Sequence, residues 1–128
     1  MTDQGKKIAL IDDDDDFNVA AKRFFSTNGY PFDTFSTGEE ALQAIAPDGY
    51  THIFVDLKLP GISGLAVIKE LVRTEAAETI VPISGYAQSN EALLAKKLCR
   101  VFVPKSDAFY ATFIDMKTII DADGPDWK

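Results

Sequence analysis

Residues 8–16 read IALIDDDDD, and this stretch decides the fold expected for the chain. Its first four residues form an uninterrupted apolar run, which is typical of a strand buried on both faces rather than of one that alternates between core and solvent. The run ends abruptly at Asp12, the first of five consecutive aspartates. Beyond them, apolar residues recur at the spacing of one helical stripe, and Gly29 follows as a stop signal. The stretch predicts a buried strand followed by a helix that Asp14 or Asp15 caps.

The same alternation continues through the rest of the chain. Short apolar runs predict four more strands, at residues 30–35, 53–55, 80–83 and 101–103. Segments with helical apolar spacing separate these runs, and a last one follows them. Five strands that alternate with five helices predict an α/β fold, a doubly wound five-stranded parallel sheet with right-handed crossovers.

The composition fits one domain. The 128 residues are 46% hydrophobic, and we expect a core over about residues 6–121 with residues 122–128 as a tail or linker. The 20 acidic and 13 basic residues give a net charge of −7, and the basic residues do not form the cluster that nucleic-acid binding needs. The single cysteine, Cys99, excludes an internal disulfide, and no apolar run is long enough for a signal or a membrane span. We therefore expect a cytoplasmic protein that binds neither nucleic acid nor membranes directly.

Polar side chains follow four of the predicted strands. Asp12 and Asp13 follow the first strand, Asp56 the third, Ser84 the fourth and Lys105 the fifth. The carboxyl ends of such strands share one edge of the sheet, where ligands bind. Three carboxylates in one cleft repel one another unless a cation joins them, and oxygen ligands of this kind suit Mg²⁺. With a lysine and a hydroxyl nearby, the set suits phosphoryl transfer onto a carboxylate.

Two other interpretations of the aspartate run fit less well. An EF-hand loop that begins at Asp12 would place Phe17 where glycine is needed and Arg23 where glutamate is needed. A phosphatase of the dehalogenase type would need threonine where Asp16 stands. The last three aspartates of the run are better explained as a solvated helix start, where negative charge favours the helix dipole.

The chain resembles the receiver domain of two-component response regulators, the CheY-like fold. The resemblance covers about residues 6–121 and implies the strand order 2-1-3-4-5. The motifs that carry it are Asp12-Asp13, Val55-Asp56 with Pro60 and Gly64, Ser84-Gly85, and Lys105.

The resemblance implies a phosphoryl acceptor and a metal site. Asp56 would accept a phosphoryl group from a histidine kinase or a histidine phosphotransfer protein. Mg²⁺ would be bound by Asp56, by Asp13 directly, by Asp12 through water and by the backbone carbonyl of Lys58. The domain would not be an enzyme in the usual sense, because it would catalyse only its own phosphorylation and dephosphorylation.

The resemblance also implies a conformational switch. Ser84 and Lys105 would each bind a phosphoryl oxygen, and Phe102 would rotate inward when Ser84 moves. The face made by the fourth helix, fifth strand and fifth helix would then signal to a downstream protein or output domain. Lys58 and Tyr86 would restrict the water that attacks the phosphoryl group.

The sequence departs from the family pattern after Lys105 and within the fourth strand, among other places. Receivers usually carry proline after the lysine, with a cis peptide before that proline, but here Ser106 follows Lys105 and Pro104 precedes it. Pro82 lies inside the fourth strand and predicts a local bulge or a shortened strand there, because it lacks an N–H. The departure around Pro104 and Ser106 motivates an alternative function, a receiver-shaped module that binds partners with weak or no phosphorylation. A flavodoxin-like FMN carrier is disfavoured, because no phosphate-binding loop follows the first strand.

Overall fold

The fold is a five-stranded parallel sheet with helices on both faces, as the sequence predicts. The structure is a computed structural model that describes residues 5–122, and the order of its strands is β2-β1-β3-β4-β5. Residues 123–128, most of the expected tail, lie outside the described residues. Among the helices of residues 5–122, none is long and apolar enough to cross a bilayer. In chain order, the elements are β1 (Ile8–Ile11), α1 (Asp15–Thr27), β2 (Phe32–Phe35), α2 (Gly38–Ala44), β3 (Tyr50–Asp56), α3 (Gly64–Arg73), β4 (Ala77–Ser84), α4 (Asn90–Leu98), β5 (Val103–Pro104) and α5 (Phe109–Asp121).

The central strands are buried on both faces because the sheet separates two hydrophobic cores. Ile8 and Leu10 of β1 pack into the core beneath α1 and α5. Ala9 and Ile11 of the same strand pack into the core beneath α2, α3 and α4. All four residues are fully buried, which explains why the sequence of β1 is continuously apolar instead of alternating.

Side-chain caps fix where the helices begin. Asp14 is the N-cap of α1, and its Oδ1 accepts a hydrogen bond from the Phe17 N–H at 3.1 Å. Thr37, Ser63 and Ser89 cap α2, α3 and α4 in the same way. The helix start at Asp15 therefore follows from the run of aspartates, with Asp14 rather than Asp15 as the cap.

The predicted effect of Pro82 on the fourth strand is wrong. β4 is the longest strand, and Pro82 pairs in register with Val55 of β3. The Ile83 carbonyl accepts a hydrogen bond from the Leu57 N–H on the side of β3, and the Ser84 carbonyl accepts one from the Lys105 N–H on the side of β5. Because the backbone groups of successive strand residues point to alternate sides, the Pro82 nitrogen faces β5. The missing N–H therefore leaves the ladder to β3 intact. β5 begins only at Val103, beyond the position where that N–H would have been needed.

Candidate functional site

The carboxyl edge of the sheet brings together acidic side chains and one lysine. Asp12 follows β1, Asp56 ends β3, and both are buried. The Lys105 Nζ lies 2.8 Å from Asp12 Oδ2 and 3.2 Å from Asp56 Oδ2. Asp14 Oδ2 is 3.8 Å from the same ammonium group. The Lys105 ammonium group is thus shared by the carboxylates of Asp12, Asp14 and Asp56.

Three carboxylates at this edge, those of Asp12, Asp13 and Asp56, have the chemistry and spacing of a metal site. One oxygen each of Asp12, Asp13 and Asp56 lies within 4.8 Å of the other two. Asp13 is exposed and lines an open cleft of about 670 Å³, while Asp12 and Asp56 are buried beside it. Hard oxygen donors at an open cleft fit Mg²⁺, which retains several water ligands. The residues present therefore fit the expected ion.

The site holds more negative charge than Lys105 can neutralise. Burial and the nearby Asp56 carboxylate raise the pKa of Asp12 to about 7, and the hydrogen bonds from Lys105 and the Asp14 N–H offset only part of this rise. Burial alone would lower the pKa of Lys105, but its contacts with Asp12 and Asp56 outweigh that effect and raise the pKa. The lysine stays charged, and the cluster retains a deficit of positive charge that a divalent cation can supply.

The turn that carries Asp12 is tied to α1 by hydrogen bonds. The Asp14 N–H donates to Asp12 Oδ1 at 2.9 Å, and the Asn18 side-chain Nδ2 donates to the Asp12 carbonyl at 2.7 Å. Asn18 is buried although it is polar. Sequence reasoning missed it as a site residue. The available signal was an amide adjacent to the apolar stripe, two residues after the aspartate run.

Lys105 is held both by its side chain and by its backbone. Its ammonium group lies 4.6 Å from the centre of the Phe17 ring, a distance typical of a cation–π contact. Its backbone N–H donates to the Ser84 carbonyl at 2.8 Å, which joins the loop after β5 to the end of β4. Every peptide bond in residues 5–122 is trans, so Lys105 reaches the carboxylates without a cis bond.

Lys58 lines the cleft, and Ser84 directly precedes two residues that line it, Gly85 and Tyr86. Ser84 is buried, its Oγ accepts a hydrogen bond from the Tyr86 N–H at 2.9 Å, and Tyr86 lines the cleft. The Lys58 N–H donates to Asp56 Oδ1 at 3.0 Å, and its Nζ lies 4.4 Å from the centre of the Tyr86 ring. Lys58 and Tyr86, which were expected to restrict water, are therefore in contact with each other.

Phe102 does not join this cluster. It is half-buried, packs against the core beneath α4, and has the Lys96 Nζ 4.7 Å from its ring centre. Its predicted role as a switch stays a prediction, since it depends on a second conformation.

Comparison with known families identifies the family of the chain. A family model described as the response regulator receiver domain matches residues 8–104. The chain belongs to this family. Receiver domains bind Mg²⁺ at an acidic pocket, and the carboxylates of Asp12, Asp13 and Asp56 form such a pocket here.

Curated relatives are similar to part of this receiver domain. Response regulator MprA of Mycolicibacterium vanbaalenii is 34% identical over 68 residues, which cover 53% of this chain and 29% of MprA. The C4-dicarboxylate transport transcriptional regulatory protein DctD of Rhizobium meliloti is 25% identical over 88 residues, which cover 69% of this chain and 19% of DctD. The chain thus spans less than a third of the length of either relative.

Solved receiver domains superpose on nearly the whole described fold. The non-phosphorylated HemR receiver domain of Leptospira biflexa has a TM-score of 0.83 at 22% identity, covering 94% of this chain and 98% of that one, and supports the fold alone. The response regulator TrrA of Thermotoga maritima, solved in complex with Mg²⁺-BeF, has a TM-score of 0.73 at 29% identity. That comparison covers 89% of this chain and 98% of TrrA.

Proposed function

We propose that this receiver domain accepts a phosphoryl group on Asp56 in a Mg²⁺-dependent reaction. The observation that carries the proposal is the arrangement of Asp56 beside Asp12, Asp13 and Lys105 at an open cleft. A carboxylate held in this way has a free path to an incoming donor, and the charges around it can stabilise a phosphoryl group.

The transfer exchanges one bond to phosphorus for another. A carboxylate oxygen of Asp56 bonds to phosphorus while the bond between phosphorus and the donor's histidine nitrogen breaks, and the imidazole leaves with the electron pair. Asp13, Asp56 and the Lys58 carbonyl would hold Mg²⁺ directly and Asp12 would hold it through water, and the ion would supply positive charge that offsets the phosphoryl oxygens. Hydrolysis by water later restores the carboxylate and releases phosphate.

Lys105 and Ser84 would bind the new phosphoryl group. The Lys105 ammonium already contacts Asp56, so it can pair with a phosphoryl oxygen on that residue. The buried Ser84 hydroxyl would bind another oxygen after the loop that contains Tyr86 moves toward Asp56. Because the backbones of Ser84 and Lys105 are hydrogen-bonded, that movement would reach β5, Phe102 and the face made by α4, β5 and α5.

The partners that suit this chemistry are a phosphohistidine donor and a downstream protein or output domain. A histidine kinase or histidine phosphotransfer protein would supply the phosphoryl group, as expected for a family that serves two-component signalling. DctD is a transcriptional regulatory protein several times longer than this chain, which supports an output domain as one form of the downstream partner. The domain itself would turn over only its own phosphoryl group and would not act as an enzyme on other substrates.

Labelling with a small phosphodonor tests the proposal. Incubation with acetyl phosphate and Mg²⁺ should add one phosphoryl group in a linkage that is stable to acid and labile to base. The adduct should be absent in Asp56→Asn and present in Asp107→Asn, a matched control because Asp107 lines the same cleft outside the acidic cluster.

Two results would contradict the proposal. Labelling that persists in Asp56→Asn would place the acceptor elsewhere. Failure of the folded wild-type protein to label, while another receiver domain labels under the same conditions, would favour the alternative of a module that binds partners without phosphorylation.

A further inference from the structure

An apolar groove lies open between α1 and the first half of α5, away from the acidic cluster. It has a volume of about 560 Å³, and Phe24 and Phe113 stack across it with their ring centres 5.0 Å apart. Val19 and Tyr110 line it while 63% and 76% exposed. Single exposed apolar residues are ordinary on a protein surface, but a continuous groove lined by aromatic side chains is typical of a surface that a partner covers.

Opposite charges lie at the two ends of this groove along α1. Asp16 and Arg23 both line it and are seven residues apart, which is about two helical turns or about 10 Å. Within residues 5–122 neither side chain forms an ion pair. The midpoint between them falls between Val19 and Ala20, at the most exposed apolar part of the helix. The surface is therefore complementary to itself under a twofold rotation about that midpoint.

We propose that the groove is a self-association surface, occupied by a second copy of this chain in a twofold-symmetric dimer. The two α1 helices would cross antiparallel, so that Asp16 meets Arg23 of the partner subunit at both ends of the contact. Val19 of each copy would enter the apolar groove of the other, as an interface made from the same patch on both subunits requires. Phe109 lines both this groove and the cleft beside Asp56, so the dimer would cover the α5 side of that cleft.

Sedimentation equilibrium of the 128-residue protein, from micromolar to millimolar concentration, tests the location of the contact. The wild-type protein should show a monomer–dimer equilibrium, and Val19→Lys should weaken it at least about tenfold. The matched control is Leu94→Lys, which changes an exposed apolar residue of α4 and should leave the equilibrium unchanged. A protein that remains monomeric throughout, or a dimer weakened only by Leu94→Lys, would overturn the proposal.

Charge reversal tests the pairing itself. Asp16→Arg alone, or Arg23→Asp alone, would place like charges opposite each other at both ends and should weaken the dimer at least about tenfold. An equimolar mixture of the two variants restores both attractions, so a heterodimer should form with an affinity close to that of the wild-type dimer. Circular dichroism checks that each variant is folded. Two variants that dimerise as well alone as when mixed would refute the antiparallel pairing.

A protein phosphodonor is the other candidate occupant of the groove. The same variants distinguish it, because Val19→Lys would then slow phosphoryl transfer from a histidine phosphotransfer protein while labelling by acetyl phosphate is unchanged. That result in a monomeric protein would assign the groove to the donor and overturn self-association. It would leave phosphorylation of Asp56 standing, so the two proposals fail separately.

Discussion

In metal-free solution, ionisation of Asp12 should destabilise the folded protein as the pH rises. Burial and the neighbouring Asp56 carboxylate raise the pKa of Asp12 from 3.8 to about 7 in the folded state. Between these values the folded protein holds a proton that the unfolded chain has already released, so stability falls with increasing pH. The protonated Asp12 carboxyl makes its full contribution to the free energy of unfolding below about pH 4, and this contribution is lost as the pH rises through about 7.

The size of the effect follows from the same two values. A displacement of the pKa from 3.8 to about 7 corresponds to at most about 4 kcal/mol in the free energy of unfolding. Domains of this size are commonly stable by about 5–15 kcal/mol, so the loss should be easy to measure. Lys105 does not titrate in this range, because its contacts with the two carboxylates raise its pKa.

Chemical unfolding in a chelating buffer isolates the contribution of Asp12. Unfolding by urea, followed by circular dichroism at several pH values, gives the free energy for the wild-type protein and for Asp12→Asn. The free energy of unfolding of the wild-type protein should fall relative to that of Asp12→Asn as the pH rises from about 4 to about 7. Above about pH 7 the difference between the two proteins should stay constant. Asp15→Asn, which removes an exposed carboxylate of the same run, serves as the control and should not reproduce this change.

Two further measurements test whether Asp12 causes this pH dependence. In Asp56→Asn, one cause of the raised pKa is removed, so the decline associated with Asp12 should end at a lower pH and be smaller. Mg²⁺ binds the ionised carboxylates of the folded state, so saturating metal should oppose the loss of stability above about pH 7. A difference between wild type and Asp12→Asn that stays constant across the window would refute the argument.

Two other predictions concern the loops around Asp56. A Cβ atom on Gly64 would lie 2.2 Å from the backbone oxygen of Asp56, so Gly64→Ala should cost about 1–3 kcal/mol and slow phosphorylation, as measured by urea unfolding and by labelling rates. At Gly85 the nearest atom would be 3.6 Å away, and an equal loss in Gly85→Ala would contradict the steric argument. Lys58→Ala removes the cation from the Tyr86 ring and should speed dephosphorylation about two- to fivefold, whereas an unchanged phosphoryl half-life would exclude shielding by this contact.

The sheet and most of the acidic site could be predicted because the apolar runs and the polar residues that follow them allow only one arrangement. The apolar runs before Asp12 and Asp56 have no polar face, so both had to be central strands of a covered sheet. Once the strands are parallel, their carboxyl ends share an edge, and the residues that follow must lie near each other. The contact of Lys105 with both aspartates follows from that rule together with its position after β5.

Other features depended on contacts that the linear sequence does not display. The inward orientation of Asn18 is set by the turn at Asp12, whose carbonyl needs a donor once it is buried. The contact of Phe17 with Lys105 depends on how α1 packs beside β5 and α5. The prediction for Pro82 failed for a related reason, because the sequence does not reveal which neighbouring strand its nitrogen faces.

The serine after Lys105 replaces the family's usual proline with a different anchor for the same loop. The Ser106 N–H donates to Thr112 Oγ1 at 2.8 Å, and Thr112 is fully buried in α5. A proline at this position has no N–H and would leave that buried hydroxyl without this donor. Ser106 Oγ in turn accepts from the Ala108 N–H at 3.1 Å, just before α5 begins. Hydrogen bonds therefore fix the chain on both sides of Lys105, to the end of β4 and to α5. Thr112→Val removes the second of these bonds and should make the position of Lys105 less fixed, although it changes no carboxylate.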